Sequence, residues 1–138
     1  MQIRENSFGF LVQVLARRID AKMKVRLSEA GVEFKLFPNL VMLLQEDGIN
    51  QRQLGDKLGF PEYAVSRNID ALIKVGLAER RPDPNSRRSQ LIFLTGKGRE
   101  TAENLPRIIA ENNDESLQAL SETEREILMQ LLRKVAKF

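Results

Sequence analysis

The stretch that most constrains how this chain can fold runs from Ile49 to Gly98, where a strand stub, two short helices, a basic hairpin and the start of another helix follow in order. Asn50 can cap a helix that carries Leu54 and Leu58, and Gln53 can return the bond from the third helical position. Gly59 closes that helix and Pro61 opens the next. There Val65, Ile69, Leu72 and Ile73 share one face, while Tyr63, Arg67 and Lys74 lie opposite at ~100° per residue. Gly76 ends it. Two runs follow, Leu77-Ala78-Glu79-Arg80-Arg81 and Ser89-Gln90-Leu91-Ile92-Phe93-Leu94, flanking a tip, Pro82-Asp83-Pro84-Asn85-Ser86-Arg87-Arg88, whose Pro, Asp and Asn residues are turn formers. This is the order of a winged helix-turn-helix.

The charge of the hairpin is arginine. Adjacent guanidinium groups held away from a core do nothing for packing, whereas phosphates and a narrow minor groove attract them. The net charge of the 138-residue chain is only +3, but its placement is uneven. Between Asn50 and Gln90 eight basic residues face five acidic ones, whereas from Gly96 onward seven face eight. The positive field therefore belongs to the middle of the chain, and double-stranded DNA is the expected partner. Arg67 sits on the outward stripe of the helix that such a fold lays in the major groove, where arginine reads guanine O6 and N7. The ordinary alternative for Arg67 is a surface ion pair with Asp70. Tyr63, Ser66 and Asn68 on the same helix and Gln51 on the preceding one complete the candidate set, and Arg87 and Arg88 supply minor-groove or phosphate contact.

The chain has no cysteine and no histidine. Disulfides, thiolate redox sensing and the usual ligands of zinc or iron are thereby removed, and no metal or cofactor is expected. An enzyme would need paired carboxylates in a pocket, and no such constellation stands out. The longest apolar run, Leu40-Val41-Met42-Leu43-Leu44, is far short of the ~20 residues of a membrane span. The expectation is a soluble, cytoplasmic protein with no membrane partner.

The ends of the chain are helical. Phe8, Leu11, Val12, Leu15, Ile19, Met23 and Leu27 recur every three or four residues and predict a long helix that stops at Ala30-Gly31. Phe37, Leu40, Leu43 and Leu44 predict a second helix to about Asp47-Gly48, with Pro38 requiring either a start near Lys35 or a kink. Thr95 can cap a helix that runs past Pro106 to about Leu120, and Ser121-Glu122-Thr123-Glu124 is a capping box for the last one, which carries Ile127, Leu128, Leu131, Leu132 and Val135. Apolar stripes flanking a lobe that has its own core would be exposed in a monomer, so Phe8, Leu11, Val12 and Leu15 with Leu128, Leu131, Leu132 and Val135 are expected to form a homodimer interface. Phe10, Val14, Phe34, Phe37 and Met42 are candidates for a ligand pocket, set against the commoner reading that they are core. The fold class is mainly α with a small β-hairpin wing. One domain spans residues 1–138, with a DNA-binding lobe at about 34–98 and helical dimerisation regions at about 5–30 and 99–138.

Asp83-Pro84-Asn85-Ser86-Arg87-Arg88 followed by Leu94-Thr95 and Gly98 resembles the D-P-x-D-x-R-x(5)-L-T-x-x-G pattern of the MarR (multiple-antibiotic-resistance) family of bacterial transcriptional regulators. Ser86 departs from it, since the family places there an aspartate that braces the wing arginine; Asp83 is the substitute available. Gly31 with Phe37, Leu40 and Leu43 is similar to the family's approach to its second helix, although Glu33 and Leu36 replace the usual threonine and glutamine. Val65-Ser66-Arg67, Asp70, Leu72 and Gly76-Leu77 match as well. The resemblance implies a homodimer that binds a palindromic operator, acts as a repressor, and is released by a small aromatic or anionic effector. A winged-helix module for protein association, its basic hairpin meeting an acidic partner, is the alternative.

Overall fold

Capping and packing of short elements account for the architecture. In the computed structural model, which describes residues 2–138, the order is α1 (Phe8–Glu29), a short 3-10 helix (Phe34–Leu36), α2 (Phe37–Gln45), β1 (Ile49–Asn50), α3 (Gln51–Leu58), α4 (Glu62–Lys74), β2 (Ala78–Asp83), β3 (Ser86–Leu94), α5 (Gly96–Glu103), α6 (Leu105–Ser116) and α7 (Glu122–Ala136). The contacts divide the chain into two units, Met23–Ile108 and the stretch through Lys22 with Ile109–Phe138.

In the first unit the core is aliphatic: Leu27, Leu40, Leu43, Leu54, Val65, Ile69, Leu72, Ile92 and Leu105 are all fully buried. The Asn50 carboxamide accepts from the Gln53 N–H at 2.8 Å and the Gln53 side chain accepts from the Asn50 N–H at 3.0 Å, so the predicted capping box starts α3. Gly59 closes α3 in the left-handed region at φ +68°, which allows the tight turn into α4. Gly55 lets the two helices approach, since a Cβ there would lie 3.2 Å from both the Val65 side chain and the Phe60 carbonyl. The strands form one antiparallel sheet in the order β1-β3-β2, with Ile49 opposite Ile92 and Arg80 opposite Ile92 on its other side.

In the second unit, Asn112 of α6 is fully buried and donates to the Ile19 carbonyl of α1 at 3.3 Å, and Lys22 pairs with Glu115 at 2.7 Å. The Ser121 and Glu124 capping box starts α7, and not one residue of that helix is buried.

Of the two alternatives at Pro38 the structure takes the early start and not the kink: a 3-10 turn precedes α2 and leaves the proline in the first helical turn, where its missing N–H is not needed. Two expectations are corrected in detail. The helix after Thr95 does not run through Pro106 but breaks at Asn104, so that Pro106 again falls in a first turn, and α6 ends at Ser116, short of Leu120. The hairpin tip is only Pro84-Asn85; Pro82 and Asp83 belong to β2 and Ser86, Arg87 and Arg88 to β3. Pro82 is tolerated because β2 is an edge strand with an irregularity beside it.

Candidate nucleic-acid interface

Helix α4 turns Val65, Ile69 and Leu72 inward, which leaves Tyr63 (69% exposed) and Arg67 on the solvent side. Ser66 and Asn68 are half-buried at the margins, as is Gln51 in the first turn of α3. Arg67 is not paired with Asp70. That carboxylate is taken by Arg80 of β2 at 2.6 Å, which ties α4 to the wing and leaves the Arg67 guanidinium without a hydrogen bond or ion pair among the described residues.

Arg87 and Arg88 are exposed on β3 and equally unpartnered among the described residues. Asp83 does not brace Arg88. Its Oδ1 accepts the Asn85 N–H at 2.9 Å, an Asx turn that shapes the tip instead. Arg81 is committed to the wing itself, donating from Nε to Glu79 at 2.9 Å with its guanidinium 4.1 Å from the Phe93 ring centroid.

Between α3, α4 and the wing lies a cleft of about 610 Å³ lined by Asn50, Gln51, Arg52, Glu62, Arg80, Arg87, Arg88, Ser89, Gln90 and Ile92. It brings Gln51 together with Arg87 and Arg88, while Tyr63, Ser66, Arg67 and Asn68 lie outside it. Sequence reasoning passed over Arg52 and Arg80. Position three residues after the β1 start and one strand away from Arg88 relates them to the site only once the sheet pairing is known. Arg52 is exposed and unpartnered among the described residues, so the cleft has three uncommitted cations against one carboxylate, Glu62.

The base of the wing explains the Leu94-Thr95-x-x-Gly98 spacing. The Thr95 hydroxyl donates to the Gly76 carbonyl at 2.6 Å and accepts from the Gly98 N–H at 3.0 Å, capping α5 while fastening it to the end of α4. Gly98 rests against the Leu77 carbonyl, in space that no Cβ could share.

The remaining candidates fall as follows. Phe34 and Phe37 have ring centroids 6.0 Å apart, and Lys24 lies over Phe34 at 5.1 Å. Phe34 lines an open hollow of about 580 Å³ with Lys24, Ser28, Gly31, Val32, Glu33 and Lys35; Phe37 and Met42 are half-buried outside it. Phe10 is exposed and Val14 half-buried, both in the other unit. Phe8, Leu11, Val12 and Leu15 of α1 are exposed, as are Leu131, Leu132 and Val135 of α7, with Leu128 half-buried. Among the described residues no group of three or more Asp or Glu side chains could hold a metal, and no helix is long and apolar enough to cross a membrane.

The model of the MarR family matches residues 38–89. The chain is 26% identical over 133 residues to the HTH-type transcriptional regulator BilQ of Clostridium symbiosum (strain WAL-14163), spanning 96% of this chain and 92% of that protein. Among solved structures it is similar to the transcriptional repressor CouR bound to a 23-mer DNA duplex, with a TM-score of 0.87, 25% identity and coverage of 96% of this chain and 94% of that one. It is also similar to the reduced form of MarR from E. coli, with a TM-score of 0.85, 26% identity and coverage of 94% and 96%. On sequence, fold and wing pattern together, the chain is similar along nearly its whole length to the MarR family of winged helix-turn-helix transcriptional regulators, which are DNA-binding proteins and not enzymes.

Proposed function

We propose that this regulator is a sequence-specific double-stranded DNA-binding repressor that acts as a homodimer on a palindromic operator and is released by a small aromatic or anionic effector. α4 enters the major groove with Arg67 reading a base edge, flanked by Tyr63, Ser66 and Asn68, while Gln51, Arg87 and Arg88 hold phosphate or a narrow minor groove. One observation carries the reading: among the described residues Arg67, Arg87 and Arg88 are exposed without hydrogen-bond or ion-pair partners, while Asp70, Asp83 and Glu79, carboxylates near them in sequence, are bonded to Arg80, Asn85 and Arg81. Charge left uncommitted on one helix and one hairpin suits a polyanion. The exposed apolar residues of α1 and α7 supply the dimer contact that two-fold operators require, and half-sites then lie about one turn apart, roughly 10 base pairs.

The test is a titration against mixed genomic fragments at two salt concentrations. Selective retention of a few fragments that weakens steeply with salt is expected. Absence of retention at low salt refutes the DNA reading and favours a module for protein association.

A further inference from the structure

Strand β1 is only two residues long, and continuing its register with β3 (Ile49 to Ile92, Asn50 to Leu91) would set Asp47 opposite Leu94. The backbone cannot continue that way. Gly48 has φ +77° and turns the chain, and it is pressed so closely under Phe93 that a Cβ would lie 2.8 Å from the ring. A side chain takes over where the strand stops: the Leu94 N–H donates to Asp47 Oδ1 at 2.8 Å, in a part-buried position. The second oxygen is used as well, since Arg99 Nη2 of α5 donates to Asp47 Oδ2 at 2.7 Å. One carboxylate thus joins the end of the α2–β1 connection, the last residue of β3 and the first turns of α5.

We infer that Asp47 is a positioning residue for the wing, fixing the strand from which Arg87 and Arg88 are presented to the nucleic acid. From Leu94 to Arg88 is six residues, ~20 Å of extended strand. A tilt of ~10° at the base therefore moves Arg88 by ~3.5 Å, about the length of a hydrogen bond. Aspartate suits the place because its short side chain reaches a backbone N–H one strand away while keeping its second oxygen for Arg99. As it concerns DNA, the inference rests on the function proposed above.

The test uses the full chain as Asp47→Ala and as Asp47→Asn, which keeps the acceptor for Leu94 and weakens only the ionic arm. Without DNA, hydrogen exchange at Leu94 and Ile92 should quicken at least tenfold in Asp47→Ala and less in Asp47→Asn, with the amides of Ile69 and Leu72 unchanged. Against DNA, Asp47→Ala should bind about tenfold more weakly on every sequence, one charge-assisted contact's worth. It should cost clearly less when Arg88→Ala is already present, the remainder being the share carried through Arg87. Unchanged exchange at Leu94, or losses from Asp47→Ala and Arg88→Ala that simply add, overturn the inference. If the wild-type chain binds no DNA the proposed function fails on its own, while the exchange measurement still decides whether Asp47 anchors the strand.

Discussion

Gly98→Ala should be among the most damaging single-methyl additions in the chain. Its Cβ would stand 1.8 Å from the Leu77 carbonyl oxygen and 2.7 Å from the Leu77 carbonyl carbon. Close carbon–oxygen contacts are ~3.3 Å, so α5 and the Leu77 segment would have to part by ~1.5 Å. Both neighbours are backbone and neither can swing aside. Leu77 is held in turn by its N–H donating to the Leu72 carbonyl at 2.9 Å and its carbonyl accepting the Thr95 N–H at 3.1 Å, so the shift strains the joint between α4 and the wing. Overpacking costs about 1–3 kcal/mol and a lost hydrogen bond about 1, offset by at most about 1 from the better helix propensity of alanine. The net expectation is about 1–4 kcal/mol, or roughly 3–15 °C in Tm for a chain of this size. Gly96 is the control, two positions earlier in the same helix with nothing within 4 Å of its would-be Cβ. Thermal and urea unfolding of Gly98→Ala and Gly96→Ala decide the matter. If the two variants melt together, or Gly98→Ala melts with the wild type, the close packing of α5 on Leu77 is wrong.

Leu131→Lys, which puts a charge on an α7 side chain that is 55% exposed, should split the proposed dimer at micromolar concentration without unfolding the chain; a folded dimer by light scattering would remove α7 from the interface. Hydrogen bonds from the Ser121 backbone N–H and then its hydroxyl hold the Glu124 carboxyl below its ordinary value. A depressed carboxylate stabilises the fold above its unfolded pKa and ceases to do so as pH falls through the depressed value, so the start of α7 should fray in acid below about pH 4. The Ser121 amide resonance should follow that titration and lose it in Glu124→Gln; an unmoved resonance contradicts the capping box. Diamide, a thiol oxidant, should leave DNA affinity unchanged because the chain has no cysteine, and a loss of affinity would show that oxidation acts elsewhere.

Much of the fold was legible because it is written in local signals. Asn50 with Gln53, Ser121 with Glu124, and Gly31, Gly59 and Gly76 mark helix ends within four residues of the groups they satisfy. The errors arose where a contact is distant or where one local signal masks another. Pro82 and Asp83 carry turn propensity yet lie in β2, because an edge strand needs no N–H from Pro82 and Asp83 uses its side chain on Asn85. The pairing of Asp70 with Arg80 depends on how the wing folds back on α4; spacing along the chain offered only Arg67 as the ordinary partner of that carboxylate, an alternative the structure does not take up. Asp47 carries no local signature at all: its partners are Leu94 and Arg99, 47 and 52 residues away.

The division of labour between α4 and the wing is tested most directly by competition binding of the wild type, Arg67→Ala and Arg88→Ala against single-base operator variants at several salt concentrations. Arg67→Ala should lose about 1–3 kcal/mol on the preferred site and relax preference at one position per half-site. Arg88→Ala should weaken all sequences alike and flatten the salt dependence by roughly one unit of slope per half-site. Equal losses on every variant with selectivity intact would contradict base reading by Arg67, and no loss in either would show that this face does not hold DNA.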